Sequence, residues 1–253
     1  MRYGLLAVVL VGFGVSLGAQ VVNVERMRLD DTKPGWSGSV AGNLDLRQNQ
    51  RSVFTAGLKS HLQLRRDSAT TLLVAQGGLV KTDDNDFVNF AFAHLRHTRR
   101  LTRRLAAEAF TQLQQNRVNG IASRWLVGVG PRLRVFDRPQ GAMYFGSLAM
   151  FEREEEVTDG VAVREHWRLS NYLAASYTPA RAKWVTLTTT TYYQPRLDNW
   201  GDFRVASESN VQVSIGKRLA LTTTFDLFYD ARPPTGLDRT TYAFLNGIRW
   251  TFG

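Results

Sequence analysis

The chain has 253 residues, a formal net charge of +10, 43% hydrophobic side chains and no cysteine. The missing thiols exclude a disulfide framework, a cysteine-ligated zinc site and a cysteine nucleophile. The length admits one large domain or two ordinary ones, and the positive balance first suggests nucleic acid or an anionic surface.

Met1 and Arg2 give a short basic start, Leu5–Val15 is apolar, and Ser16–Gln20 supplies small residues around Ala19. This pattern predicts a Sec-type signal peptide over residues 1–19, the alternative being a buried N-terminal helix. Residues 20–35 would then form a periplasmic segment ahead of the folded part, 36–253. No later run reaches the roughly 18 consecutive apolar residues of a spanning helix.

From Trp36 onward the apolar residues recur with period two, the mark of strands with unlike faces. In Trp36–Arg47, Trp36, Val40, Leu44 and Leu46 share one phase, and Ser37, Ser39, Asn43, Asp45 and Arg47 the other. Phe54–Arg65 repeats the pattern, with Lys59, His61 and Arg65 in its polar phase. Further strands are predicted at Thr71–Lys81, Phe87–Thr98, Leu105–Gln115, Arg124–Phe136 and Ala142–Glu152. The remainder are Arg164–Tyr177, Trp184–Gln194, Phe203–Ile215, Leu219–Tyr229 and Thr240–Phe252. Twelve strands of about this length match tilted membrane-crossing β-strands better than the five or six residues usual in soluble sheets.

A soluble sandwich also alternates, but its packed interior would have to hold many charges. A basic side chain at a bilayer midplane costs about 2–4 kcal/mol, so a membrane strand must turn Lys59 away from lipid. The apolar phases also begin or end in aromatics, among them Trp36, Trp125, Trp167, Trp184 and Tyr242, as interfacial girdles do. The expected fold is all-β: a single closed antiparallel barrel of about twelve strands, of Gram-negative outer-membrane type. Its last strand pairs with its first, so that no backbone edge meets lipid. The aromatic ending at Trp250 and Phe252 resembles an outer-membrane assembly signal, which makes the barrel-assembly machinery an expected partner. Gly253 after Phe252 departs from a strictly terminal aromatic.

Alternate connections differ in charge. The turns at 65–68, 99–104, 136–141, 179–183 and 216–218 hold eleven basic residues against two acidic ones. The intervening loops are longer on this reading and acidic on balance, including the run 152–160. Short turns belong on the periplasmic side. The net charge is therefore mostly one rim, which argues against nucleic acid and leaves membrane lipid and lipopolysaccharide as surroundings.

The segments 192–205 and 228–252, with 168–172 and 113–117, hold combinations that periodicity does not require. Gln194, Pro195, Asp202 and Arg204, then Tyr229, Asp230, Pro233 and Pro234, carry the pattern. They resemble an outer-membrane family known only as domain of unknown function 481, which includes proteins described as salt-induced outer-membrane proteins. The resemblance covers roughly residues 36–252 and implies a Gram-negative outer-membrane barrel with no established activity.

The charged inward set is expected to be Asp45, Lys59, His61, Arg65, Glu108, Arg124, Arg132, Arg134, Arg168, Arg204, Glu208, Asp226 and Arg249. If these pair, they plug the barrel; if a water path remains, the basic excess favours anions. No catalytic residue, metal site or cofactor is expected. His166 and Ser170 share a phase but stand about 13 Å apart along a strand, too far for a nucleophile and its base. The acidic run 152–160 reads as a solvated loop, with divalent-cation binding the alternative. Three functions follow in order: a narrow channel for small solutes or anions, a structural or salt-stress envelope protein, and an outer-membrane hydrolase. Phe252→Asp should sharply lower the yield of folded barrel, read by heat-modifiable gel migration, while leaving secretion intact; unchanged membrane insertion would contradict the assembly role.

Overall fold

A computed structural model describes residues 34–48, 52–82, 85–116, 120–156, 162–216, 219–233 and 236–250. The N-terminal segment expected as signal peptide and most of residues 20–35 lie outside the described residues. Among the described residues all regular structure is strand: β1 (Gly35–Gln48), β2 (Ser52–Arg65), β3 (Ala69–Thr82), β4 (Asn85–Arg100), β5 (Leu105–Asn116) and β6 (Ile121–Arg138). They are followed by β7 (Gly141–Glu156), β8 (Ala162–Tyr177), β9 (Val185–Pro195), β10 (Phe203–Ile215), β11 (Leu219–Asp230) and β12 (Thr240–Trp250). The twelve form one antiparallel sheet in chain order, each strand bonded to its sequence neighbours. The sandwich alternative fails here, because the strands make one sheet rather than two facing ones.

Most strands are longer than the periodicity indicated, reaching 18 residues in β6, while β9 and β10 have the expected length. As they lengthen, the connections shrink. β1 joins β2 and β3 joins β4 through links as short as those on the basic rim. The β7–β8, β8–β9, β9–β10 and β11–β12 connections remain longer, so the basic connection 178–184 is as long as the β9–β10 loop on the other side. Register shifts fall near strand ends, at Val80/Lys81, Gln114/Asn116, Ile121/Ser123 and Arg134/Phe136, where bulges steepen the local twist. The β10–β11 turn uses Gly216 at φ +71°, a backbone conformation that costs a β-carbon dearly.

The sheet curls. Tyr172 on β8 reaches Glu108 on β5, its hydroxyl donating to the carboxylate at 2.5 Å. In a flat sheet, strands three apart would stand about 14 Å from one another. The Arg96 guanidinium on β4 lies 5.6 Å from the Tyr172 ring, four strands away. Arg204 on β10 pairs with Glu152 on β7. All these side chains occupy one concave face.

The convex face carries the other phase. Trp36 and Tyr242 are each 75% exposed there, and Leu44, Leu58, Leu113, Trp125, Trp167, Leu187 and Ile248 are exposed with them. The concave face is not purely polar, contrary to the simple division drawn from periodicity. Phe110, Leu126, Leu148, Met150, Tyr172, Tyr192 and Phe228 are buried together on it, beside Ala174 and Ala206. Leu72, Val74 and Phe92 form a smaller group.

Glycines make room for these rings. Gly146 faces Tyr172 across β7–β8, Gly128 faces Phe110 across β5–β6, and Gly78 faces Phe90 across β3–β4. A β-carbon added at any of the three would run into the facing ring. Each pair lays an aromatic over a glycine, filling the gap and fixing the register. Gly146→Val and Gly128→Val should therefore lower the thermal midpoint of the folded chain. Gly42→Val, whose β-carbon would meet only a backbone oxygen at 3.6 Å, should leave it nearly unchanged; circular dichroism melting in detergent reads the difference.

Candidate functional site: a charged concave interior

Alternation in β5 to β11 sends every second side chain into the trough, and the long-loop half of that trough is filled by ions. Arg168 is 2% exposed. Its Nε donates to Glu152 at 2.5 Å, Nη2 to the Asp202 carboxylate at 3.0 Å, and Nη1 to the backbone oxygens of Gln194 and Asp202 at 3.1 and 3.3 Å. Glu152 is also approached by Arg124 at 3.3 Å and paired with Arg204. Arg124 and Arg204 share Glu154, at 2.5 and 3.2 Å. The Arg204 Nε donates to Asp230 at 2.8 Å. These three guanidiniums, with Arg196 on Asp202 at 3.1 Å as a fourth, balance four carboxylates out of water, the condition under which buried charges are tolerated.

The loop after β9 caps this network. Arg196 donates from its backbone nitrogen to the Asp202 carbonyl at 2.9 Å and from Nη1 to the Asp202 carboxylate at 3.1 Å. The Leu197 nitrogen donates to the Trp167 carbonyl at 2.8 Å, tying the loop to β8. Arg196 also grips Asp198 at 2.6 Å, and that hydrogen bond holds the Asp198 carboxyl below its usual range. Asp230 accepts from the Arg232 nitrogen at 2.9 Å, which anchors the loop leaving β11.

Nearer the basic turns a second cluster surrounds Glu108. Its carboxylate accepts from Thr98 at 2.9 Å and Tyr172 at 2.5 Å, with Arg132 at 3.5 Å and Arg96 at 3.6 Å. Arg132 also donates to the Tyr172 hydroxyl at 2.9 Å. Arg96 Nε donates to His94 Nε2 at 3.3 Å, so the histidine proton sits on Nδ1, which donates to Gln112 at 3.0 Å. The imidazole is stacked between Phe92 and Phe110, with ring centres at 6.2 and 5.3 Å.

Of the charged residues expected inside, Glu108, Arg124, Arg132, Arg168, Arg204 and Asp226 are buried on the concave face. His61, Arg65, Arg134 and Glu208 are half-buried, while Asp45 and Lys59 are exposed. Arg134 pairs with Asp137 at 3.1 Å. Arg249 and Trp250 stand at the end of β12 in register with Ala220 and Leu219. Phe252 and Pro234 lie outside the described residues.

The motif residues converge. Gln194, Asp202, Arg204 and Asp230 belong to the first network, and Pro195 is buried beside it. Pro233 is half-buried in the loop that follows. Tyr229 stacks on the opposite face at 5.5 Å from Phe203, which is 5.5 Å from Tyr193.

Sequence reasoning missed Glu152, Glu154, His94, Arg96 and Tyr172. The acidic run 152–160 is not wholly a loop: β7 continues to Glu156, and Glu152, Glu154 and Glu156 are all buried. Their spacing continues the phase of Leu148 and Met150, a signal present in the sequence. The correction changes the electrostatics. Among the described residues the buried charges are five arginines and seven carboxylates, so the deep interior has no basic excess. Ser170 accepts a hydrogen bond from Gln194 at 2.9 Å.

A single-layer antiparallel meander, apolar on its convex face and ion-paired on its concave one, defines the class of protein this is. The chain belongs to the family described as a protein of unknown function, DUF481, whose model matches residues 48–252. No curated protein matches it. Among solved structures it is similar to the NanC porin, at 9% identity and TM-score 0.46, over 83% of this chain and 100% of that one. It is also similar to a bacterial polysaccharide outer membrane secretin, at 10% identity and TM-score 0.47, over 88% of this chain and 87% of that one.

Removing one partner of a buried ion pair typically costs about 3–5 kcal/mol, because the remaining charge is left desolvated. Glu152→Gln, which leaves Arg124, Arg168 and Arg204 short of a carboxylate, should lower unfolding stability by about that amount. Asp198→Asn on the exposed loop should shift the urea midpoint far less. Equal shifts in the two variants would show that the network does not hold the fold.

Proposed function

We propose that the protein is an outer-membrane β-barrel, closed by pairing β12 with β1, that passes small anions along a narrow off-centre path. Among the described residues the convex apolar face has no second layer over it, and its extent across all twelve strands far exceeds the few hundred Å² of apolar patch usual on soluble monomers. Hydrocarbon is the surrounding that removes this cost. β1 and β12 run antiparallel, since the strand count is even, and both start or finish at the basic-turn end. Pairing them would satisfy the two remaining backbone edges, as a bilayer requires.

One observation carries the path: the trough is filled unequally. β4 to β10 contribute the arginines, glutamates and rings of the two clusters. The concave phase of β1 is Ser37, Ser39, Ala41, Asn43 and Asp45, and that of β12 is Thr241, Ala243, Leu245, Gly247 and Arg249, mostly small residues, by their register with β2 and β11. Gly57 on β2 is so bare that the Asn43 side chain lies over it. A closed barrel would hold its bulk against one wall and leave space along the wall of small residues. Lys59, His61 and Arg65 project on that side with Asp45, and Asp226 on β11 stands opposite Ala243; the basic turns at one mouth add the charge that favours anions.

The paired interior also supports a second reading, a plugged envelope protein that serves under salt or osmotic stress. Planar-bilayer recording separates the two. Unit conductance with an anion-selective reversal potential is expected, reduced several-fold by Ala41→Trp and shifted toward cations by Lys59→Glu. No unit conductance above background in any salt would remove the channel and leave the plugged barrel.

A further inference from the structure

At the basic-turn end the trough opens into a cavity of about 370 Å³, within the roughly 300–1,000 Å³ of small-molecule sites. Seven arginines line it, with Asp67 as the one acidic residue. The β2–β3 turn supplies Arg65 and Arg66, the β4–β5 turn Arg100, Arg103 and Arg104, and β6 Arg132 and Arg134. Arg132 forms a buried floor, its guanidinium 4.1 Å from the centre of the Tyr144 ring. Thr70, Thr98, Thr102 and Ser176 add hydroxyls to the wall.

Arg132 and Arg134 meet Glu108 and Asp137 at 3.5 and 3.1 Å, but the charge of the two turns is only partly cancelled. Arg100 spends a donor on the backbone oxygen of Asp67, at 2.7 Å, rather than on its carboxylate. Arg66, Arg103 and Arg104 have no acidic side-chain partner among the described residues. Like charges drawn from two turns and a strand into one concavity raise its potential, because the low-dielectric walls focus the field. Guanidinium forks match the paired oxygens of phosphate-type anions, and a cavity this small meets so many forks only with a ligand of high charge density.

The geometry points to this cavity as a binding site for a compact, multiply charged phosphate-type anion, presented in solution at the basic-turn end. The concave placement, away from the apolar face, selects a soluble anion over a lipid headgroup. The site is built from β2 to β9, so it depends neither on pairing of β12 with β1 nor on conduction.

The test is calorimetric titration of the full chain, refolded in detergent micelles, with inorganic tripolyphosphate at low ionic strength. Saturable binding near one per chain is expected. It should weaken at least tenfold in Arg66→Gln/Arg103→Gln/Arg104→Gln and stay unchanged in Arg138→Gln/Arg181→Gln, whose arginines lie in basic turns outside the cavity. Absence of saturable binding, or equal weakening in both variants, overturns the site. So does retention of phosphatidylglycerol from mixed micelles that tripolyphosphate does not displace. All three proteins are exposed-turn variants or parent, and matching circular dichroism melts establish that they are equally folded.

Discussion

A sheet with one uncovered apolar face has a single place for its ionised side chains, and that constraint organises the molecule. Every arginine or glutamate on the strands must lie in the trough or at a rim. In the trough it is taken out of water, so it needs an opposite charge at hydrogen-bond distance. Glu152 has three arginines for this purpose, and Arg168 has Glu152, Asp202 and two backbone carbonyls. The guanidinium is suited to such a position because its several donors point in fixed directions, and Arg168 makes four such contacts.

These contacts also set the shape. Hydrogen bonds between neighbouring strands fix spacing and register but leave curvature to the sheet's own twist. The ties from Tyr172 to Glu108 and from Arg204 to Glu152 skip over intervening strands, and they shorten only if the sheet bends. Glycine opposite aromatic works in the same direction: Gly146 and Gly128 let large rings lie flat on the concave wall, where side chains have the least room. Polar pairing and ring packing thus reinforce one curvature, the consistency across levels that favours a single native state.

Strand existence, strand order and the two phases were legible because period two is a local signal that each strand repeats. Asp202, Arg204 and Asp230 were marked by motif, although their common purpose was not visible until Arg168 and Glu152 stood between them. Strand ends were legible in β9 to β11, with Phe203–Ile215 read to the residue, but not in β3, β4, β6 and β7. Glu152–Glu156 is a charged run, and charge reads as loop unless partners from β6, β8 and β10 are known. Arg96 and Tyr172 were missed for a related reason: they meet across two to four strands, and His94 is held by partners on β4 and β5, none of which the spacing in one strand encodes. The basic rim was read correctly as a concentration of charge, yet its concavity arises only when the turns from β2 and β4 lean over β6.

The two ends of the trough are therefore electrostatic opposites built from the same residue type. Toward the long loops, arginines meet carboxylates and the field is spent locally. Toward the short turns, arginines outnumber Asp67 and Asp137 and meet hydroxyls and Tyr144, so their field extends into solvent within the screening length of about 10 Å at 0.1 M salt. Arg132 links the halves, paired with Glu108 above and lining the basic cavity below. An anion seated in that cavity would compete with Glu108 for Arg132. Since Glu108 is held by Tyr172, Thr98 and Arg96 as well, a change at the rim has a connected route to the middle of the trough.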